Sequence, residues 1–288
     1  MKHNTKLVVV FSLIFFLLCS SVGFAAPSLE KTNDNVNVTN EYLLIKELQR
    51  KSTAELLEFG YNSNDIDELR KIDYAAILKE RSKLDDNLLR NMGYTKEQIE
   101  ILRNFEGTEE EIIALSASLF FDARRTKWEY VNGTQYFDVW FNWEWSTVPA
   151  TLNTDIIGAG WSESMYLTTS TTQSYHTITY RNFRNNTTHT QRFGFEREGA
   201  ASGAYSSFPA GKNYVSSPVN YDWAQRGNGY IRVHRDSYQP ILQCEMNIAY
   251  GANRYSVTPG ISIGTGFAVS FTPTYAVTKI RDKWVRVP

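Results

Sequence analysis

Thr134-Gln135-Tyr136-Phe137-Asp138-Val139-Trp140-Phe141-Asn142-Trp143-Glu144-Trp145 is the stretch whose reading decides the fold. Phe137, Val139, Phe141, Trp143 and Trp145 fall on one parity; Tyr136, Asp138, Trp140, Asn142 and Glu144 fall on the other. Period two is the mark of a strand, whose successive side chains leave opposite faces of a sheet. A face this aromatic is driven out of water, so a second layer is expected over it. Immediately upstream, Asn132-Gly133 is a strong two-residue hairpin signal and predicts a partner strand over 127–131.

Beyond Pro149 the chain continues in shorter turn-separated pieces. Thr154 to Glu163 holds an apolar run around Ile156, Ile157 and Trp161. Tyr175–Phe183 and His189–Glu196 read as strands about the turn Asn185-Asn186-Thr187-Thr188, and Tyr230–His234 and Pro240–Tyr250 resume the sheet. Residues 199–220, rich in Gly, Ala, Ser and Pro, read as an extended loop. Val257, Ile261, Ile263, Phe267, Val269 and Phe271 share one parity, with small and polar residues between them. Many strands with no helical stretch between them predict an antiparallel β-sandwich or jelly-roll domain over 123–288.

Upstream the period is helical. Ser52-x-x-Glu55, Asn62-x-x-Asp65, Thr95-x-x-Gln98 and Thr108-x-x-Glu111 each set a capping side chain three residues before a group that can reach back to it. Gly60-Tyr61 recurs as Gly93-Tyr94, and each glycine is expected to end a helix in the left-handed region while the tyrosine packs the corner. Asp73 reads as the cap of a longer helix reaching Asn91, and a last helix is expected from Thr108 to Phe121. Residues 40–121 therefore read as a small helical array, after a flexible lead-in over 26–39. The Asn91-Met92-Gly93-Tyr94 corner resembles that of ubiquitin-associated domains, but it is short and carries no function across.

Composition divides at the same place. Residues 27–121 contain 19 acidic and 12 basic side chains and no tryptophan; residues 122–288 contain 12 acidic and 16 basic side chains and all seven tryptophans. Opposite charge suggests that the two parts dock. The chain opens with basic Met1–Lys6, an apolar Leu7–Leu18 and a small-residue region ending Gly23-Phe24-Ala25-Ala26. These are the parts of a secretory signal peptide over 1–25, so an extracellular, cell-surface-associated product is expected. Cys19 leaves with that peptide and Cys244 remains alone, excluding an intramolecular disulfide; its alternation with Leu242, Met246 and Ile248 predicts a buried thiol.

Chemical motifs are scarce. There is no His-Glu-x-x-His run, Gly-x-Ser-x-Gly elbow, phosphate loop or EF-hand loop, and no cofactor or metal is expected. His176 and His189 lack a third ligand with metal spacing. Asp138, Glu144, Asp155, Glu163 and Glu245 are the carboxylates from which a glycan-hydrolase pair would have to come, the first alternative reading. The second is a membrane-active β-rich toxin, since Ser/Thr-rich alternating strands also line transmembrane barrels; peripheral membrane contact belongs with it. Nucleic acid is not expected for an exported chain.

Tyr136, Trp140, Trp161 and Trp223 are the aromatic candidates for a ligand platform, with Arg181, Arg192 and Arg232 as charged partners. Aromatic faces mixed with guanidinium groups suit a polysaccharide or anionic cell-surface polymer. A protein partner is expected at the helical part. With Trp143-x-Trp145 and Thr154-Asp155-Ile156-Ile157, the order of signal, helices and aromatic β domain resembles uncharacterised secreted proteins of Gram-positive spore-forming bacteria. That resemblance implies no activity and transfers no functional residue. The reading is a secreted, non-enzymatic binding or surface-interaction protein.

Overall fold

The computed structural model describes residues 36–59, 61–150, 152, 154–161, 165–170, 172–198, 203–213, 221–236, 243–253, 262–263, 269–270 and 274–283. The signal peptide and most of the lead-in expected before Val36 lie outside these residues, as do Gly60, Glu163 and most of 254–273. Helices occupy the N-terminal side and antiparallel sheets the C-terminal side.

The helices are α1 (Glu41–Arg50), α2 (Thr53–Glu58), α3 (Ser63–Lys71), α4 (Tyr74–Arg81), α5 (Asp86–Asn91), α6 (Lys96–Arg103) and α7 (Glu109–Leu115). All four expected capping boxes form, at Ser52, Asn62, Thr95 and Thr108. At Thr95 the side chain accepts from the Gln98 amide at 3.2 Å while Gln98 accepts from the Thr95 amide at 3.0 Å. Gly93 has φ +94°, and a Cβ there would lie 2.6 Å from the Ser146 carbonyl, so both conformation and space require glycine. Tyr61 and Tyr94 are buried corners. The long helix expected from Asp73 to Asn91 is two helices, because the Asp85 side chain accepts from the Leu88 amide at 2.9 Å and starts α5 afresh.

The strands are β1 (Asn37–Asn40), β2 (Ser118–Val131), β3 (Thr134–Trp145), β4 (Thr154–Trp161), β5 (Tyr166–Leu167), β6 (Tyr175–Asn182), β7 (Thr188–Gly194), β8 (Glu196–Glu198), β9 (Gly203–Pro209), β10 (Gly211–Asn213), β11 (Tyr221–Asp236), β12 (Gln243–Asn253), β13 (Ser262–Ile263), β14 (Val269–Ser270) and β15 (Thr274–Lys283). One sheet runs β1-β2-β3-β11-β6-β7, with β5 and β10 also on β11; a second runs β15-β12-β4-β9-β8; β13 and β14 pair with each other. The Asn132-Gly133 turn has positive φ at both residues and joins β2 to β3 as expected.

Two boundaries differ from expectation. The last helix stops at Leu115, and the chain from Ser118 is already β2, with Leu119, Phe121 and Ala123 buried on alternate positions. The division at 121/123 therefore falls inside a strand. Asn37–Asn40, whose first three residues were expected in the flexible lead-in, pairs antiparallel with Phe121–Ser118, so helices α1 to α7 stand between two neighbouring strands of one sheet. Within 199–220, read as an extended loop, Gly203–Pro209 and Gly211–Asn213 are strands paired with β4 and β11.

The inner face of β3 is buried along its whole length, alternating as the sequence requires. Trp143 stacks on Phe208 of β9 at 5.5 Å and meets Tyr250 of β12 edge-on at 5.1 Å, while Trp145 Nε1 donates to the Tyr250 hydroxyl at 3.1 Å. The two large sheets thus interlock through aromatic side chains. Each such ring removed from water contributes about 1.5–3 kcal/mol, and each edge or stacked pair about 1 kcal/mol more. Cys244 is wholly buried beside the Met165 sulfur at 3.7 Å.

Candidate functional site

The opposite parity of β3 leaves an outer face built row by row from strand register. Arg124 of β2, Trp140 of β3 and Tyr230 of β11 are register partners, and Tyr230 is in turn opposite Tyr175 of β6. The Arg124 guanidinium lies over the Trp140 ring at 4.7 Å; Tyr230 and Tyr175 ring centres are 5.7 Å apart; and Arg192 of β7 lies over Tyr175 at 3.5 Å. An aromatic strip therefore crosses the sheet with an arginine stacked on each end.

The neighbouring row is ionic. Arg232, opposite Asp138, donates through Nε to one carboxylate oxygen at 2.7 Å and through Nη2 to the other. That bidentate pair is the main reason its guanidinium is held above the usual arginine range. Lys127 pairs with Glu129 at 2.6 Å, and Glu129 also lies 4.0 Å from Arg232. A third row is again aromatic: Tyr136 and His234 are 6.3 Å apart, His234 and Tyr166 are 6.3 Å apart, and Arg197 lies over Tyr166 at 5.5 Å. The Thr168 hydroxyl hydrogen-bonds His234 Nδ1 at 2.9 Å.

Of the seven residues chosen from sequence, Tyr136, Trp140, Arg192 and Arg232 meet on this face. Trp161 and Trp223 do not belong to a surface platform. Trp161 is buried with Nε1 donating to the Met165 carbonyl at 2.8 Å, and Trp223 is buried against the helical part, where Nε1 reaches the Asn91 carbonyl at 3.4 Å. Arg181 sits at the far end of β6, its Nε donating to Asn186 at 2.6 Å, away from the aromatic rows. Arg124, Tyr166, Tyr175, Arg197, Tyr230 and His234 complete the face and were not among those seven. Arg124 lies before the strand expected over 127–131, and a register shift between Arg125 and Lys127 puts it on this face against the alternation of Lys127–Val131.

Of the carboxylates weighed for hydrolysis, Glu163 lies outside the described residues, and the two on β3 do not converge. Asp138 and Glu144 share one face of β3 six positions apart, a separation of about 20 Å at strand rise, against the roughly 5–10 Å that glycosidase pairs use. Asp155 is in the core, accepting from the Tyr250 hydroxyl. His176 and His189 are four register positions apart: His176 is enclosed, while His189 stacks on Tyr180 at 5.2 Å. Among the described residues no group of three or more His, Cys, Asp and Glu is placed to hold a metal.

The acidic helical part docks through specific polar contacts, among them the Asn91 side-chain amide donating to the Phe183 carbonyl at 2.6 Å just beyond β6. Arg81 donates to the carbonyls of Val148 at 2.9 Å and Pro149 at 2.8 Å, and Glu41 accepts from the Ala150 amide at 2.8 Å. An open cleft of about 470 Å³ on the helical part is lined by Tyr42, Gln49, Arg70 and Asp73 among others. Its Gln49 amide donates to the Leu69 and Ile72 carbonyls.

No family model matches the chain, and no curated protein matches it. Several solved structures show slight likeness. One, from work on a catalyst of macrocyclization in alchivemycin A biosynthesis, is 10% identical, covering 58% of this chain and 90% of that one, at TM-score 0.24. Another, described as manganese lipoxygenase of Gaeumannomyces graminis with part of zonadhesin of Komagataella pastoris, is 7% identical over 59% and 62% of the two chains, at TM-score 0.24. A pore-forming protein is 6% identical over 58% and 80%, at TM-score 0.21. At these scores the likenesses bear on neither fold nor activity.

Proposed function

We propose that this is an exported, cell-surface-associated and non-enzymatic binding protein, whose two large sheets form a β-sandwich and whose outer aromatic face takes a polysaccharide. The observation that carries the reading is the unbroken strip Trp140, Tyr230 and Tyr175 across three adjacent strands. Sugar rings present apolar C–H faces and polar rims. A row of aromatic faces flanked by guanidinium and carboxylate groups matches both, the rings removing apolar area from water and the rim groups exchanging hydrogen bonds. Strand pairing fixes the spacing of the rings before any ligand arrives, so little ordering entropy is left to be lost on binding. The wide separation of Asp138 and Glu144 supports binding over hydrolysis.

Retention of the full chain on immobilised polysaccharides tests this. Trp140→Ala and Tyr230→Ala should each weaken retention by about fivefold or more. Phe59→Ala, at an exposed residue just past α2, should leave it unchanged. Retention indifferent to both face variants would overturn the reading.

A further inference from the structure

Resting on that reading, we infer that the ligand is an acidic linear polysaccharide, lying across the strands along Trp140, Tyr230 and Tyr175 with its carboxylate or sulfate groups held at the two ends by Arg124 and Arg192.

Charge on this face is divided unevenly. Arg232, Lys127 and their acidic neighbours neutralise one another within the ionic row. Arg124 and Arg192 are exposed, and among the described residues neither has a carboxylate within ion-pair distance. Each instead rests on a ring, at 4.7 Å and 3.5 Å. Stacking on a ring holds a guanidinium flat while its N–H edge stays available, which suits two-pronged bonding to a carboxylate or sulfate. The partnering of Arg232 and the lack, among the described residues, of a carboxylate partner at the two ends place the uncompensated positive charge where a long anionic chain would leave the aromatic strip. Arg124 stands on β2 and Arg192 on β7, four strand steps apart in β2-β3-β11-β6-β7. At the usual strand spacing this is about 19 Å, so a ligand bridging both must be several sugar units long. A single sugar reaches only one end.

The test uses the full chain and matched polymers that differ in charge alone: polygalacturonate against its methyl ester, and dextran sulfate against dextran. Binding is followed by titration calorimetry at low and moderate salt. At least one charged polymer should bind about tenfold or more tightly than its neutral partner, and the margin should narrow as salt screens the arginines. Arg124→Gln and Arg192→Gln should each remove about fivefold of that margin with an unchanged melting temperature, and the double variant should bind the charged and neutral forms alike. The polygalacturonate and dextran sulfate arms separate carboxylate from sulfate as the preferred group. Equal binding of both members of each pair, or arginine variants that keep the margin, would overturn this inference while leaving the aromatic face standing. Failure of all four polymers to bind, with Trp140→Leu silent as well, would overturn the binding face itself.

Discussion

His176 shows at the scale of one residue what the aromatic core demands. Its ring is fully buried between Phe141, Trp143 and Phe208, and its Nε2 accepts from Trp143 Nε1 at 2.9 Å. An acceptor nitrogen cannot also carry a proton, and burial pushes the pKa down to about 3. An unfolded histidine titrates near 6.5. Between those values the unfolded chain binds more protons, so this contribution is complete above about pH 6.5 and is lost as pH falls, by on the order of 2 kcal/mol at pH 5. Urea unfolding at pH 7 and pH 5 should show that His176→Gln, which gives up the titration, loses less stability over this interval by about that amount. Identical losses would mean that His176 does not remain neutral in the fold. Gly227 is set by the same pair: a Cβ there would lie 2.6 Å from His176 Nε2 and 2.7 Å from the Trp143 ring. Gly227→Ala is expected to cost about 1–3 kcal/mol by overpacking. At Gly133 there is space for a Cβ but φ is +84°, so Gly133→Ala should cost about 1–2 kcal/mol through backbone strain alone. Only the Gly227 variant should also disturb the near-ultraviolet signal of the buried tryptophan.

At the scale of elements, the capped helices make a sharp test, because their first turns depend on few contacts. Thr108 caps α7, and its Oγ1 accepts from the Glu111 amide at 3.3 Å. Thr108→Ala should lower stability by about 0.5–2 kcal/mol, and Thr108→Ser should restore most of it; denaturant midpoints distinguish the two. Such caps were legible in the sequence because both partners lie within three residues. The strand at 134–145 was legible for the same reason, since its alternation needs no knowledge of the partner. The start of β2 was not. The helical pattern of Ile112, Ile113 and Leu115 runs straight into the apolar Leu119-Phe120-Phe121, and only pairing with Asn37–Asn40 and Leu119–Phe121 opposite Trp145–Trp143 makes the second stretch a strand. The misplacement of Trp223 has a related cause. A register shift between Ala224 and Arg226 breaks the alternation of β11, and composition alone gives no sign that α5 covers that tryptophan. The part of the candidate face on β3 was therefore visible as strand parity, whereas the part contributed by Arg124, Tyr166, Tyr175, Tyr230 and His234 depends on which strands lie side by side.

For the molecule as a whole, the question is whether helices and sheets unfold together. Opposite net charge suggested diffuse attraction, but the contact is specific and buried. Arg81, almost wholly enclosed, donates to the Tyr94 hydroxyl at 2.8 Å and to the Val148 and Pro149 carbonyls. Beside it Glu41 accepts from the Tyr74 hydroxyl at 2.7 Å and from the Ala150 amide, and burial together with that carboxylate holds Tyr74 well above the usual phenol range. The Val148 amide donates to the Met92 carbonyl at 2.9 Å, closing the same junction from the other side. A buried cation with all these acceptors is tolerable; the acceptors without the cation are not. Arg81→Met should therefore cost about 3–5 kcal/mol. Among the described residues all six tryptophans lie on strands and, apart from Trp223, which meets α5, their fluorescence reports the sheets, while circular dichroism at helical wavelengths reports the helices. In the native chain both signals should follow one denaturant transition, as expected when a single core spans both parts. In Arg81→Met the helical signal should be lost first, leaving the fluorescence transition nearer its original midpoint. Two transitions already separate in the native chain would show that the junction does not couple the parts. Coincident transitions in the variant would shift the coupling from Arg81 to the apolar contacts around it.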